Sequence, residues 1–507
     1  MAKNKKVEMS LEEKLEKALI PFEEQPYKIP DNWVWTRLGE ISKLSGGSGF
    51  PEKYQGFLDK NIPFYKVGSL KNIDDNFYIK NSENYIDEDI LDKIKAKLFP
   101  ENTIIFAKIG EAIRLNRRAI LKENSCIDNN LIALVSNSSC YFRYIYFWLK
   151  KEDLYKYAQA TTVPSIRQST LEELEFPLPP LNEQKRIVEK LDFLFEKTKR
   201  AKEIIEEIKV DIENRKISIL DRAFKGVLTS KWRNKNKVSD VKELLKSIND
   251  EKIKKWEEDC LQAEKDGNKK PKKPIIKEVK DMLVPVEEQP YKLPDSWVWV
   301  YNKSLTEIIG DGLHGTPNYD SNGEYYFING SNLKNLKIEI SDETKKINRI
   351  EYEKYKKKLG NSTILLSING TLGNIALYKD EKIVLGKSAA YLNYSVTEVI
   401  PFIIFLLKTP YFKLFCEENY TGSTIKNIPL SALRNFLVPL PPLEEQQEIV
   451  RILDEVLENE NKVKELLELE ERIDILEKSI LHKAFKGELG TQNSNDESAI
   501  ELLKEIL

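Results

Sequence analysis

Arg114, Asn116, Arg117 and Arg118 stand within five positions, just past the short apolar run Thr103 to Ala107. Guanidinium and amide groups crowded like this donate to anions and to hydrogen-bonding edges rather than move protons. Side chains that catalyse are scarce by comparison. The 507 residues include two histidines, His314 and His482, too few for a zinc site and a thin supply for general acid–base work. Cys126, Cys140, Cys260 and Cys416 are scattered with no CxxC pair, the usage expected of reduced thiols in a cytoplasmic protein. Gly386-Lys387-Ser388 imitates the end of a phosphate-binding loop, but Glu381 stands where its first glycine belongs. No GxGxxG opens a helix, and the pairs Pro179-Pro180 and Pro441-Pro442 follow Leu, not the Asn or Asp of an amino-methyltransferase. The longest apolar run, Val399 to Leu407, is interrupted by Pro401 and falls short of the ~20 residues that span a bilayer. No signal peptide is evident at the N-terminus.

The elements that must position these groups are written twice. EEQPYKIPDNWVW, Glu23 to Trp35, returns as EEQPYKLPDSWVW from Glu287, 264 residues later. PLPPLNEQ at 177–184 returns as PLPPLEEQ with an offset of 262, and AFKG at 223–226 returns with an offset of 261. ELLKSI at 243–248 returns as ELLKEI at 501–506, an offset of 258. This is a duplicated domain pair, its period too long for a solenoid. Each copy begins with a mixed α+β globule. Thr103 to Ala107 and Thr363 to Ser367 read as strands, and Arg143 to Lys150 as a helix piece. A long helix follows, with Asn182 as its N-cap and Glu183 in its first turn favouring the dipole. About 42 residues at 1.5 Å each make a rod of roughly 60 Å, which Gly226 is placed to end.

Ile187, Leu191, Leu194, Thr198, Ala201, Ile205, Ile208 and Ile212 alternate steps of four and three, a heptad seam that needs a helical partner. The second copy gives Ile449, Leu453, Val456 and Val463, then resumes one position early as Leu466, Leu469, Ile473, Leu476 and Ile480. The first rod carries net charge +2 over 182–226 and the second −7 over 443–489, so each is the other's natural partner. Residues 499–507 match the start of the middle segment 239–283, and residues 17–22 match its end. The chain is therefore a circularly permuted two-fold object whose termini lie near each other. The Lys-rich stretch 269–274 reads as a solvated linker.

In this layout the sequence resembles the specificity subunit of type I restriction–modification enzymes. The paired W-x-W starts, the PLPPLNEQ and PLPPLEEQ helix openings, the AFKG ends and the segment GDGLHGTPNY (310–319) carry the likeness, which covers nearly the whole chain. It implies an N-terminal segment (1–22), a first target recognition domain (23–180), a central long helix (181–227) and a linker with helical content (228–284). A second recognition domain (285–442), a C-terminal long helix (443–489) and a helical tail (490–507) complete it. The fold class is α+β: two similar α/β domains held apart by two long antiparallel coiled-coil helices in a pseudo-two-fold, permuted duplication. The resemblance implies no catalytic site in this chain, which would direct methylation and restriction by its partners. Two methylation subunits would dock on the helices and recognition domains, and motor–nuclease subunits would join through them. S-adenosylmethionine, ATP and magnesium would belong to those partners. A fused enzyme with unrecognised motifs and a coiled-coil scaffold are the rival readings.

Each domain would read half of a bipartite, asymmetric site in double-stranded DNA. In the first, the candidates are Lys66 and Ser69; Lys108, Arg114, Asn116, Arg117 and Arg118; and Thr161, Thr162, Ser165, Arg167 and Gln168. In the second they are His314, Thr316 and Asn318; Asn329, Ser331 and Asn332; Asn369, Thr371 and Asn374; and Ser423, Thr424, Lys426 and Asn427. The Trp33/Trp35 and Trp297/Trp299 pairs are identical in both copies and so belong to packing. Lys plus Arg number 80 and Asp plus Glu 82, a net −2 that hides mildly basic domains beside an acidic rod. So modest a charge gives weak grip on DNA by this chain alone. If rod length sets the gap between half-sites, inserting one heptad in both helices lengthens the tolerated spacer; an unchanged spacer would sink the idea.

Overall fold

The computed structural model describes residues 9–159, 163–458 and 461–507. The chain forms two compact units, one built from residues 1–206 and 467–507, the other from residues 207–466. Three sheets correspond between the units, and the second unit adds a two-stranded ribbon, Leu333–Lys334 with Lys337–Ile338. In the first unit an antiparallel sheet runs Ser42–Gly46, Leu131–Ser136, Ile104–Ala107, Arg118–Ile120. Its counterpart in the second runs Thr306–Asp311, Ala389–Tyr394, Thr363–Ser367, Ile375–Leu377. Beside each lies a small mixed sheet with one parallel pair, Phe64 against Cys126 in one unit and Phe327 against Val384 in the other. Strand Ile104–Ala107 is apolar throughout because both its faces are covered: Ile104, Ile105 and Phe106 are all fully buried.

A two-stranded ribbon closes each domain, and its register explains two of the repeated motifs. Trp35 pairs with Pro177, and Trp299 with Pro439. The W-x-W and PLPP segments are thus neighbouring strands, and the second strand delivers the chain into the rod. The first rod is one helix, Leu181–Phe224, of 44 residues. It starts at Leu181, so Asn182 is an exposed first-turn residue, not the cap. The second rod comprises Leu443–Glu458 and Asn461–Phe485; residues 459–460 and the side chain of Val463 lie outside the described residues.

Glu183 does more than favour a dipole. It is fully buried and accepts from Trp33 Nε1 at 2.8 Å and Thr491 Oγ1 at 3.1 Å. Glu445 repeats this with Trp297 Nε1 at 2.9 Å and Thr229 Oγ1 at 2.6 Å, and adds Arg233 at 2.7 Å. Tyr27 Oη donates to the Phe485 carbonyl, and Tyr291 Oη to the Phe224 carbonyl, both at 3.1 Å. Gly226 and Gly487 follow with φ near +70°, where a Cβ would also strike Pro294 and Pro30. Each domain therefore grips the head of one rod and the tail of the other, which makes the rods antiparallel. In the first unit Thr198 bonds Glu477 at 2.6 Å, and Lys202, four residues on, reaches back to Asp474 at 2.7 Å.

The seam is buried where a rod lies on a domain core: Ile187, Leu191, Ile480 and Phe485 share one cluster, and Phe224, Ile449 and Leu453 another. Ile208, Leu469 and Leu476 are 39%, 42% and 49% exposed, so these positions do not pack as a continuous heptad seam demands. Domain contacts, not helix pairing alone, bury the rods.

The permutation is visible in strand bridges. Leu19 pairs with Thr36 as Leu283 pairs with Val300. Ser498 caps Ala499–Ile506 as Asp240 caps Val241–Lys265, and Leu503 and Leu245 are both fully buried. Lys14 Nζ donates to the Leu507 carbonyl at 2.7 Å. The middle helix is much longer than its ELLK motif. Its extra turns brace the second domain, with Lys252 donating to the Ser304 carbonyl and Lys255 to the Ser395 carbonyl. The Lys-rich stretch is exposed, but it also runs back along this helix, where Pro271 accepts from Trp256 Nε1 at 3.0 Å.

Glu445→Gln strands the half-buried Arg233 guanidinium and costs about 3–5 kcal/mol. Glu183→Gln strands no cation, since Arg186 pairs with Asp496, and costs about 1 kcal/mol. Thermal unfolding of the two variants checks this difference.

Candidate nucleic-acid interface

In each unit two polar loops are tied together by main-chain bonds. Gly110 N donates to the Pro164 carbonyl at 2.8 Å and Ile166 N to the Lys108 carbonyl at 2.9 Å. Gly370 N donates to Lys426 at 3.0 Å and Ile428 N to Ile368 at 2.8 Å. The loop after the central strand is thereby fixed to the loop before the PLPP exit, around glycines with φ of 77° and 76°. Lys108 and Arg114 come together with Ser165 and Arg167. Asn369, Thr371 and Asn374 come together with Ser423, Thr424, Lys426 and Asn427. Thr161 and Thr162 lie outside the described residues.

The arginine cluster divides into buried and exposed members. Arg118 is 4% exposed, and its guanidinium donates to the Asn116 carbonyl at 2.9 Å and the Glu152 carbonyl at 2.6 Å. Burial pushes its pKa down to about 10. Asn116 Nδ2 bonds the same Glu152 carbonyl, so this pair closes the end of helix Phe142–Lys151 and does not face a ligand. Backbone carbonyls, not an anion, offset the crowding. Arg114 is exposed, stacked on Tyr155 at 4.3 Å and paired with Glu111 at 3.0 Å. Arg117 is exposed and has no side-chain partner among the described residues.

The remaining candidates divide the same way. Asn318 holds Glu351, Asn329 accepts from Ser388 Oγ, and Asn332 donates to the Glu339 carbonyl. These three shape loops. Gln168 donates to the Leu44 carbonyl and to Glu172. His314 is exposed beside Asp311 at 2.6 Å, and Thr316, Ser331, Thr371, Ser423, Thr424 and Lys426 are exposed. Lys66 reaches Gln55 at 2.9 Å and, with Ser69, lines a polar cleft of about 550 Å³.

Four lysines absent from the candidates, Lys71, Lys150, Lys408 and Lys413, join candidate residues near these loops. Lys71, Arg117 and Lys150 line one cavity of about 270 Å³. Asn374, Lys408, Lys413 and Lys426 line its larger counterpart in the second unit. Lys150 lies between the Phe77 and Phe195 rings, and its burial lowers its pKa while Glu477 opposes the shift. The Gly46-Gly47 turn was also missed, with Lys97 Nζ at 2.8 Å from Ser45 Oγ. It matches Gly312 of the GDGLHG segment: a Cβ on Gly47 would strike the Asp128 carbonyl, and one on Gly312 the Leu385 carbonyl. That common close approach was the available signal.

The family model for the type I restriction modification DNA specificity domain matches twice, at residues 30–210 and 294–471. The chain belongs to this family. It is a DNA-recognition specificity subunit, with a non-catalytic role, and acts with DNA and other subunits of a restriction–modification complex. The type I restriction enzyme EcoBI specificity subunit of Escherichia coli is 24% identical over 363 residues, 68% of this chain and 67% of that one. The EcoKI specificity subunit of Escherichia coli strain K12 is 22% identical over 521 residues, 94% and 96% of the two chains. The HsdS subunit from Thermoanaerobacter tengcongensis shares the fold, with a TM-score of 0.50 at 19% identity, covering 92% of this chain and all of that one. A chain from a structure of type I system assembly and conformational transition does so with a TM-score of 0.62 and the same identity and coverage. Among the described residues no single helix is long and apolar enough to cross a membrane.

Within this specificity subunit the two neighbouring arginines separate cleanly. Arg118→Ala lowers stability by about 2 kcal/mol, because it removes the guanidinium bonds that close the end of helix Phe142–Lys151, whereas Arg117→Ala leaves the melting temperature unchanged and weakens DNA binding of the assembled complex. Unfolding and filter-binding measurements on both variants decide it.

Proposed function

We propose that this subunit reads a bipartite, asymmetric site in double-stranded DNA, one half with each recognition domain. The observation that carries this reading is a common loop skeleton bearing different side chains. Ile109 and Ser165 in one unit stand where Asn369 and Asn427 stand in the other. Identical backbone bonds present an alkyl and a hydroxyl group in one case and two amides in the other. Amides suit paired contacts to base edges, most often adenine, so the two units favour different bases. The exposed Arg114, Arg117, Arg167 and Lys426, with Lys71 and Lys150, supply phosphate and base-edge donors. Thr161 and Thr162 belong to the same set by position.

Two methylation subunits complete the complex, and motor–nuclease subunits act through them. S-adenosylmethionine, ATP and magnesium are bound by those partners, in the cytoplasm. The recognition domains carry little net positive charge, so the partners add much of the phosphate grip.

Methylome sequencing of a host expressing the complete system should show one gapped motif with unlike halves. With Asn369→Ala and Asn427→Ala together, the base preference of one half relaxes while the other stays intact. Relaxation of both halves, or of neither, contradicts the assignment of one half per unit.

A further inference from the structure

We propose that Arg114 and Arg167 each read a guanine in the half-site of the first unit, and that Tyr155 and Gln159 are the positioning residues that hold them for it; this rests on the function proposed above. A phosphate is satisfied by a cation delivered from many angles. The O6 and N7 edge of guanine takes two parallel N–H donors in one plane. A guanidinium that the protein already holds in a fixed plane is prepared for the second task, because little freedom is lost on binding.

Both arginines are held, and along the same edge. Arg114 Nε pairs with Glu111 at 3.0 Å, and its Nη2 donates to Tyr155 Oη at 2.7 Å. The group also lies over the Tyr155 ring, 4.3 Å from its centre. With the Gln159 amide oxygen turned to the donors that face it, Arg167 donates from Nε at 2.9 Å and from Nη2 at 3.3 Å. Neither Nη1 has a protein partner among the described residues, and both side chains are exposed. A guanidinium carries five N–H donors in a rigid fork, so holding its Nε–Nη2 edge leaves the Nη1–Nη2 end as a planar pair. That pair matches the two acceptors of guanine.

The holders come from one short segment. Tyr155 N donates to Asp153 Oδ1 at 3.1 Å, and Gln159 N to the Ser165 carbonyl at 2.9 Å, two residues before Arg167. Residues 153–159 thus orient an arginine on each of the two tied loops. The device belongs to one unit only. Eleven residues separate the ladder partners Phe106 and Arg118, whereas eight separate Leu366 and Ile375. The longer loop makes the turn Glu111–Ile113, which presents Arg114. The tied loops of the second unit, 367–374 and 420–429, contain no arginine. What the duplication keeps is frame; what it does not keep distinguishes the half-sites.

The test is binding of the complete complex to duplexes carrying its own methylated motif. The half read by the first unit is the one whose preference survives Asn369→Ala with Asn427→Ala. In that half, 7-deazaguanine replaces each guanine in turn; it exchanges N7 for carbon and keeps Watson–Crick pairing. The native complex loses about tenfold in affinity at two of these guanines. Arg114→Ala binds the unmodified motif about tenfold more weakly and is indifferent to 7-deazaguanine at one of the two, and Arg167→Ala at the other. Tyr155→Phe, which keeps the ring and removes the acceptor, lowers the preference at the Arg114 guanine alone by about threefold, and Gln159→Ala does so at the Arg167 guanine. All four variants keep the native melting temperature. Arginine variants that weaken every sequence alike, with a salt slope lower by about one, would mark phosphate contacts and overturn the proposal. Native guanine preference in Tyr155→Phe and Gln159→Ala would overturn the positioning roles. A complex that shows no gapped motif overturns instead the function on which this rests.

Discussion

A buried carboxylate at the head of each rod is the interaction on which the architecture depends. Glu183 and Glu445 are wholly removed from water, so each must find its donors inside the protein. Those donors come from two places far apart in sequence, the indole of the W-x-W strand and the threonine beyond an AFKG end, while the rod supplies the carboxylate itself. Satisfying one oxygen pair therefore fixes the start of one rod, the end of the other and the ribbon that closes the domain. The Tyr27 and Tyr291 hydroxyls repeat the constraint from the other side, on the last carbonyls of the rods. Antiparallel rods follow from this arrangement without a continuous hydrophobic seam, which is why Leu469 and Leu476 can remain half exposed.

The tied polar loops are built on the opposite principle. Their union rests on bonds between main-chain groups, Gly110 to Pro164 and Gly370 to Lys426. Such bonds are indifferent to the side chain carried at each position. Loop geometry is held constant while the side chains it presents are free to change. One small domain thus holds its frame with side chains that cannot be replaced, and its tied loops hang replaceable ones on backbone.

That separation also governs how much could be read from the sequence. The motifs around Trp33, Glu183 and Gly226 were legible because their roles need particular groups, and the duplication printed each twice. The strands at 104–107 and 363–367 and the rod from 181 to 224 followed from apolar pattern and the absence of Pro and Gly. The permutation followed from matching ends. The site was less legible. Arg118 and Asn116 resemble Arg117 in sequence, yet their partner is the Glu152 carbonyl, 34 residues from Arg118, which no local pattern reveals. Asn329, Asn332 and Asn318 are committed to loop shape for the same reason. Lys71 and Lys150 share a cavity that only tertiary packing creates. The Gly47 turn was overlooked because its role is the absence of a side chain beside a carbonyl.

The permuted ends bear on the order in which the molecule is made. The second unit is one unbroken stretch, 207–466, and contains all of its own core. The first unit lacks Phe485, Thr491 and Leu503 until residues 467–507 have been synthesised. Its early residues must wait, with Glu183 and Trp33 already made but a shared donor still missing, while some 260 intervening residues are translated. Closing so long a loop is slow but adds little to the entropic cost. The first domain is thus the last to mature, and a chain cut short within its final forty residues has one finished domain and one that cannot close. Such a product grips only one end of each rod, so completeness of translation is built into the formation of a two-headed reader.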